Sequence, residues 1–134
     1  MEDVVLLDTV MLFDFLANKG LAGETEKIMH DGRAAVSAIT VYELFRGVES
    51  EEHREQRNTL LSFLHVLELN TQIAKTAGLL FTNIRKKGLV IDNEDILIAA
   101  TGLHYRIPLF TLNMKHFNEF AGLQFYKKKK KKKI

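Results

Sequence analysis

Apolar and polar positions alternate along this chain in two ways, as short apolar runs and as segments with apolar residues at helical spacing. The apolar runs predict strands at residues 4–7, 34–36, 66–69 and 109–110, and a weaker one at 123–126. The intervening segments predict helices near residues 11–16, 24–30, 41–48, 52–64, 71–87 and 92–104. Because strands and helices alternate, we expect an α/β fold with three α/β/α layers and a central parallel sheet of four to five strands.

The length of 134 residues suits one compact domain, and residues 1–126 are predicted to form it. Residues 127–134 contain seven consecutive lysines and predict a disordered Lys-rich tail. The formal charge of +2 depends on this run, because the rest of the chain has 12 basic and 17 acidic residues, a balance of −5. An acidic body is not the usual footprint of a nucleic-acid binder, but it suits a cation site.

The chain has no cysteine, which excludes disulfides, thiolate nucleophiles and cysteine-ligated zinc. The N-terminal apolar run has no basic lead-in, and Asp8 and Asp14 interrupt it. We therefore expect no signal peptide and no membrane span, and we expect a cytoplasmic protein.

Acidic and amide side chains follow several of the predicted strands. The carboxyl ends of parallel strands lie at one edge of a sheet, where ligands bind in such folds. This placement predicts that the chemically important side chains meet there, with nearby hydroxyls from Thr9, Ser37 and Thr111. The candidate residues are Asp8, Glu43, Asp92, Asp95 and Asn113.

Helix capping is the competing explanation for each of these residues. Asp8 and Asn113 each precede a helix, and Thr40 and Glu43 have the spacing of a capping box, as in form do Asp92 and Asp95. Capping alone does not require several carboxylates in one cleft, where they repel one another. A bound divalent cation removes that repulsion, and ligands that are all oxygen favour Mg²⁺ or Mn²⁺ over zinc. His116 is the nearby histidine, and we expect it to be a surface residue or a capping partner.

Four segments resemble the motifs of the PIN-domain family, in the family's order. They are residues 6–9 (LLDT), 37–47 (SAITVYELFRG), 95–102 (DILIAATG) and 110–117 (FTLNMKHF). The resemblance extends from Leu6 to Phe125 and is most specific to the VapC-like toxins of VapBC toxin–antitoxin pairs. It implies a metal-dependent ribonuclease that hydrolyses RNA phosphodiester bonds, forms a homodimer and is blocked by a small antitoxin protein.

The resemblance also assigns residues. It implies that Asp8, Glu43 and Asp95 bind the metal, and that Asn113 occupies a fourth catalytic position at which the family usually has aspartate. Asparagine can coordinate through its carbonyl oxygen but cannot ionise. A second metal is therefore less supported than the first, although Asp92, one turn before Asp95, is a candidate for the missing charge.

Three alternatives differ in function class. Asn113 keeps open a PIN fold that has lost activity and binds only RNA or a partner. A housekeeping nuclease that processes ribosomal RNA would carry the same motifs. A signalling receiver domain would need an aspartate at the end of the third strand and a lysine directly after the fourth. This sequence has Glu68, Leu69 and Asn70 at the first place and Thr111 at the second.

Overall fold

The computed structural model describes residues 3–128. The elements in chain order are β1 (Val5–Leu7), α1 (Thr9–Leu16), α2 (Ala22–His30), β2 (Ala34–Ser37), α3 (Ala38–Phe45), α4 (Glu51–Leu61), β3 (His65–Leu67), α5 (Thr71–Lys86), α6 (Asn93–Tyr105), β4 (Leu109–Phe110) and α7 (Met114–Phe117). The alternation predicted from the sequence is confirmed. Of the predicted tail, Lys127 and Lys128 are described and residues 129–134 lie outside the described part.

The strands form one parallel sheet in the order β3-β2-β1-β4. The predicted fifth strand at 123–126 is reduced to one bridge between Leu109 and Phe125. Since β4 has only two residues, Leu109 alone exchanges backbone hydrogen bonds with this segment, through Gln124 and Tyr126 at 2.9 Å each. The sheet therefore has four strands, the lower of the two numbers predicted.

Alternate residues of the central strand enter two separate cores. Leu6 packs with α5, α6 and the C-terminal segment on one face, while Val5 and Leu7 pack with α1 to α4 on the other. All three side chains are fully buried. The continuous apolar run of β1 thus has the cause inferred from the sequence, a strand covered on both faces.

Small residues let α6 lie close to the sheet. Ala99 and Ala100 are fully buried, and Gly102 has so little room that a Cβ atom there would lie 3.0 Å from Leu123 Cδ1 and 3.5 Å from Leu6 Cδ2. This close approach matters for the site, because the first turn of α6 carries Asp95. None of the helices in residues 3–128 has the length and hydropathy of a membrane-spanning segment.

The packing of α6 predicts that Gly102→Val lowers the free energy of unfolding by about 1–3 kcal/mol through overpacking. Gly78 is the matched control, because it lies in α5 and a Cβ atom there would have no atom within 4 Å beyond its own helix backbone. We expect Gly78→Val to change stability by less than about 0.5 kcal/mol, since helix propensity alone acts there. Urea unfolding followed by circular dichroism measures both, and equal effects would contradict the close approach.

Candidate metal-dependent nuclease site

The candidate site begins where β1 and β4 end side by side. Asp8 directly follows β1, and its backbone N–H donates to the carbonyl oxygen of Phe110 at 3.0 Å. Thr111 follows β4, and its hydroxyl donates to Asp8 Oδ2 at 2.7 Å. Since β4 lies on the opposite side of β1 from β2, this is the point where the strand order changes direction, the usual ligand site of an open parallel sheet.

A pair of threonines orients the second predicted acid. Thr9 Oγ1 donates to Glu43 Oε1 at 2.7 Å and lies 2.9 Å from Thr40 Oγ1. A hydroxyl has one proton, so the Thr9 proton given to Glu43 leaves Thr40 as the donor to Thr9. Thr40 is fully buried, which fixes this chain of hydroxyls between α1 and α3.

The third acid, Asp95, lies in the first turn of α6 and is partly buried. Burial first, and then the negative charges of Asp8, Asp92 and Glu43, raise the pKa of Asp95 to about 6, while His116 opposes the shift. The predicted acids therefore share one electrostatic neighbourhood, although they come from separate parts of the chain.

The pKa values of the other two predicted acids, Asp8 and Glu43, are also raised. Burial raises the pKa of Asp8, while hydrogen bonds from the Thr111 hydroxyl and the Thr9 backbone N–H lower it, and only 5% of Asp8 is exposed. Burial also raises the pKa of Glu43, with smaller contributions from the charges of Glu94 and Asp8. Negative charge at this edge of the sheet is thus unfavourable in the absence of a neutralising cation.

Capping accounts for few of these acids. Asp8, Asp92 and Asn113 occupy N-cap positions, but none of their side chains makes a capping hydrogen bond. By contrast, Ser37 and Asn70 cap α3 and α5 by accepting from backbone N–H groups at 3.2 and 2.9 Å. The helices thus use non-acidic caps where side-chain capping occurs.

The structure does not support the competing explanation of Thr40 and Glu43 as a capping box. Helix α3 begins at Ala38 with Ser37 as its N-cap, so Thr40 lies inside the first turn and bonds Thr9 instead. Ser37 was expected to support the acids, and it caps a helix and lies 3.4 Å from the Thr101 hydroxyl. The missed signal was Ser37 itself, a standard N-cap residue directly after an apolar strand.

Asn113 is held by two contacts at the end of β4. Its backbone N–H donates to Thr111 Oγ1 at 2.9 Å, and its side-chain Nδ2 lies 3.0 Å from His116 Nδ1. His116 is exposed, as expected. Thr111 therefore links the fourth motif to Asp8 by accepting one hydrogen bond and donating another.

Two groups at the rim of the site were missed by sequence reasoning. Arg46 Nη1 lies 3.7 Å from Glu94 Oε1, and this pair joins the end of α3 to the start of α6. Both charges act on Glu43, where Glu94 raises the pKa of the carboxyl group and Arg46 lowers it. Neither residue directly follows a strand, so the search for polar residues at strand ends did not identify them.

The donor set fits a hard divalent cation in its chemistry. Asp8, Glu43 and Asp95 offer only oxygen ligands, and hydroxyls rather than cations orient the first two. Within residues 3–128, no three acidic or histidine side chains are already close enough together to hold an ion. The acids of the described structure thus share one edge of the sheet without forming a closed cluster of three ligands.

Comparison with known proteins gives consistent matches over most of the chain. Residues 5–123 match the profile of the family described as PIN domain. Ribonuclease VapC1 of Methanocaldococcus jannaschii is 29% identical over 129 residues, covering 95% of this chain and 90% of the relative. Ribonuclease VapC10 of Mycobacterium tuberculosis is 36% identical over 94 residues, covering 70% of each.

Solved structures agree on the fold. The VapBC-1 structure from nontypeable Haemophilus influenzae has a TM-score of 0.74 at 25% identity and covers 92% of this chain and 96% of that one. VapBC2 from Rickettsia felis, bound to a DNA fragment from its promoter, has a TM-score of 0.77 at 24% identity, with 92% and 97% covered. With four motifs in order and a profile match from residue 5 to residue 123, this chain belongs to the PIN-domain family.

Proposed function

We propose that this protein is a ribonuclease that hydrolyses RNA phosphodiester bonds with Mg²⁺ or Mn²⁺, and that it is the toxin of a toxin–antitoxin pair. The observation that carries the proposal is the set of carboxyl groups around Asp8, whose pKa values are raised together. The similarity to VapC ribonucleases over nearly the whole chain supports the choice of RNA as substrate.

In this proposal Asp8, Glu43 and Asp95 hold the cation, and Asn113 contributes at the fourth position. A bound divalent cation would stabilise the charge that develops on the phosphate and activate the attacking water. The chain's own hydroxyls prepare the ligands, since Thr111 orients Asp8 and Thr9 orients Glu43. A hydroxyl orients a carboxylate without neutralising it, so the negative charge that attracts the cation is retained.

We further propose a small antitoxin protein as partner, a homodimer, and a cytoplasmic location. Structures named VapBC among the similar folds support the partner. An apolar cavity of about 340 Å³ between α1, α2 and α4 offers surface for a protein contact. Its lining residues include Phe15, Leu16, Met29 and Phe63, and Phe63 is 59% exposed.

The ribonuclease proposal predicts that Asp8→Asn and Asp95→Asn each lower RNA cleavage by more than about 100-fold, because losing residues that merely support a metal ligand already costs 10- to 100-fold. Asp31→Asn is the matched control, since Asp31 is an exposed aspartate before β2, at the opposite edge of the sheet. Cleavage of a labelled RNA with Mn²⁺ measures the rates. Cleavage by Asp8→Asn at the parent rate would refute the site.

The raised pKa of Asp95 predicts a particular pH dependence of stability. The folded protein holds this proton up to about pH 6, whereas an unfolded aspartate releases it near pH 4. The favourable contribution is present below pH 4 and is lost as the pH rises through 6. We expect Asp95→Asn to raise the free energy of unfolding at pH 7 but not at pH 4, in urea titrations with EDTA. A gain of equal size at both pH values would contradict the shift.

Because asparagine cannot ionise, two divalent ions would face only three carboxylates in the RNA-free protein. We therefore expect one tightly bound metal ion in that state. We expect Asn113→Asp to tighten Mn²⁺ binding in calorimetric titration and to lower stability without metal, since the added carboxylate faces the others. If Asp92 already supplies the fourth charge, Asn113→Asp gains little and Asp92→Asn is inactivating. Two equally tight sites in the parent would refute the one-metal proposal.

A further inference from the structure

An exposed aromatic residue and an arginine flank Glu43 at the end of α3. Tyr42 lies in the last turn of the helix, and Arg46, four residues later, is the residue directly after the helix. The Arg46 Cζ atom lies 5.4 Å from the centroid of the Tyr42 ring, in the geometry of a cation–π pair. The helix ends directly after Phe45, where Arg46 turns to an extended conformation and Gly47 takes a φ of +83°.

The ion pair of Arg46 is of a kind that exchanges easily. Its partner Glu94 is 3.7 Å away, and 55% of the arginine side chain and 33% of the glutamate side chain are exposed. An exposed pair at this separation contributes little to stability. A phosphate group, by contrast, accepts two parallel hydrogen bonds from a guanidinium group.

Tyr42 keeps part of its side chain open to solvent. It is 52% exposed although the Arg46 guanidinium group lies over its ring. Aromatic side chains beside cations are the recurring means by which proteins hold unpaired nucleotides, because every base has a face that stacks.

Two other guanidinium–ring pairs in the described residues lack this setting. Arg57, over Phe13, is fixed by a hydrogen bond of 3.0 Å from its Nε to the carbonyl oxygen of Leu44. Arg85 and Phe81 belong to α5, which contributes none of the candidate acids. Of these three pairs, only Tyr42 and Arg46 lie within three residues of a candidate metal ligand, Glu43.

We propose that Tyr42 and Arg46 form a nucleotide-binding platform for single-stranded RNA, in which a base stacks on Tyr42 and the adjacent phosphate replaces Glu94 on Arg46. The proposal rests on the proposed ribonuclease function and adds to it a preference for unpaired RNA. Because the platform borders Glu43, a nucleotide held there places its phosphodiester beside the acids.

The test measures binding separately from cleavage. A ten-nucleotide single-stranded RNA containing 2-aminopurine and a duplex of the same length are titrated in EDTA against the full chain carrying Asp8→Asn. We expect Tyr42→Leu to weaken single-strand binding at least about fivefold, the low end of stacking energies per base, and to abolish the fluorescence quenching caused by stacking. Tyr42→Phe keeps an aromatic face and should retain both the affinity and the quenching.

Arg46→Gln should weaken binding and lower the salt dependence, the slope of log K against log salt, by about 0.7, the value for one phosphate contact on a single strand. Arg106→Gln is the matched control, since this exposed arginine lies beyond the far end of α6, about 17 Å along the helix from Asp95 at 1.5 Å per residue. Arg106→Gln should change the salt-dependence slope and the RNA affinity less than Arg46→Gln does, because it removes only a charge distant from the site.

Several outcomes would overturn the proposal. Quenching that survives Tyr42→Leu, or equal losses of single-strand and duplex affinity, would exclude stacking on Tyr42. Equal effects of Arg46→Gln and Arg106→Gln would exclude a specific phosphate contact. A change in the oligomeric state of Tyr42→Leu at unchanged RNA affinity would assign the surface to contact between copies of the chain. Failure of the ribonuclease proposal would be seen separately, as absence of cleavage by the parent chain with Mn²⁺.

Discussion

Asp8 is almost completely buried directly after β1, one of the two inner strands of the sheet. The neighbouring residues compensate for the cost of burying this carboxyl group. Removing a carboxylate from water is unfavourable unless hydrogen bonds or opposite charge compensate. Asp8 is 5% exposed and accepts a hydrogen bond from the hydroxyl of Thr111, the residue that follows the adjacent strand β4. The strand order therefore determines the chemistry, since any other neighbour of β1 would leave Asp8 without this donor.

Hydroxyls rather than cations surround the buried acids, and the difference has a functional consequence. A lysine or arginine placed against Asp8 would lower its pKa and neutralise it in a permanent ion pair. The threonines orient the carboxyl groups of Asp8 and Glu43 while burial keeps their pKa values raised. In the proposed function, a bound cation would relieve the resulting excess of negative charge, so that part of the free energy of burying the acids would be recovered on binding.

The sequence was sufficient wherever one physical rule acted within a few residues. Apolar runs located the strands, and the rule that ligands bind at strand ends placed Asp8 and Thr111 at the same edge of the sheet from the residues alone. It failed where contacts between distant segments decided the outcome. Thr40 had the spacing of an N-cap residue, but Ser37, three residues earlier, caps the helix instead. The hydroxyl of Thr40 is hydrogen-bonded to Thr9, which belongs to another helix. The ion pair of Arg46 with Glu94 depends on how α3 meets α6, which no local pattern encodes.

The acidic balance of the chain without its lysine run also constrains how RNA and metal can bind together. A body with 12 basic and 17 acidic residues offers little general attraction for a polyanion, and the buried acids repel phosphate directly. A divalent cation reverses the sign of the potential at the site, so it should strengthen RNA binding. By thermodynamic reciprocity, RNA must then strengthen cation binding by the same factor. The proposed site would thus be complete only with both ligands bound, because the cation would offset the negative charge of the acids and the phosphate would offset the positive charge of the cation.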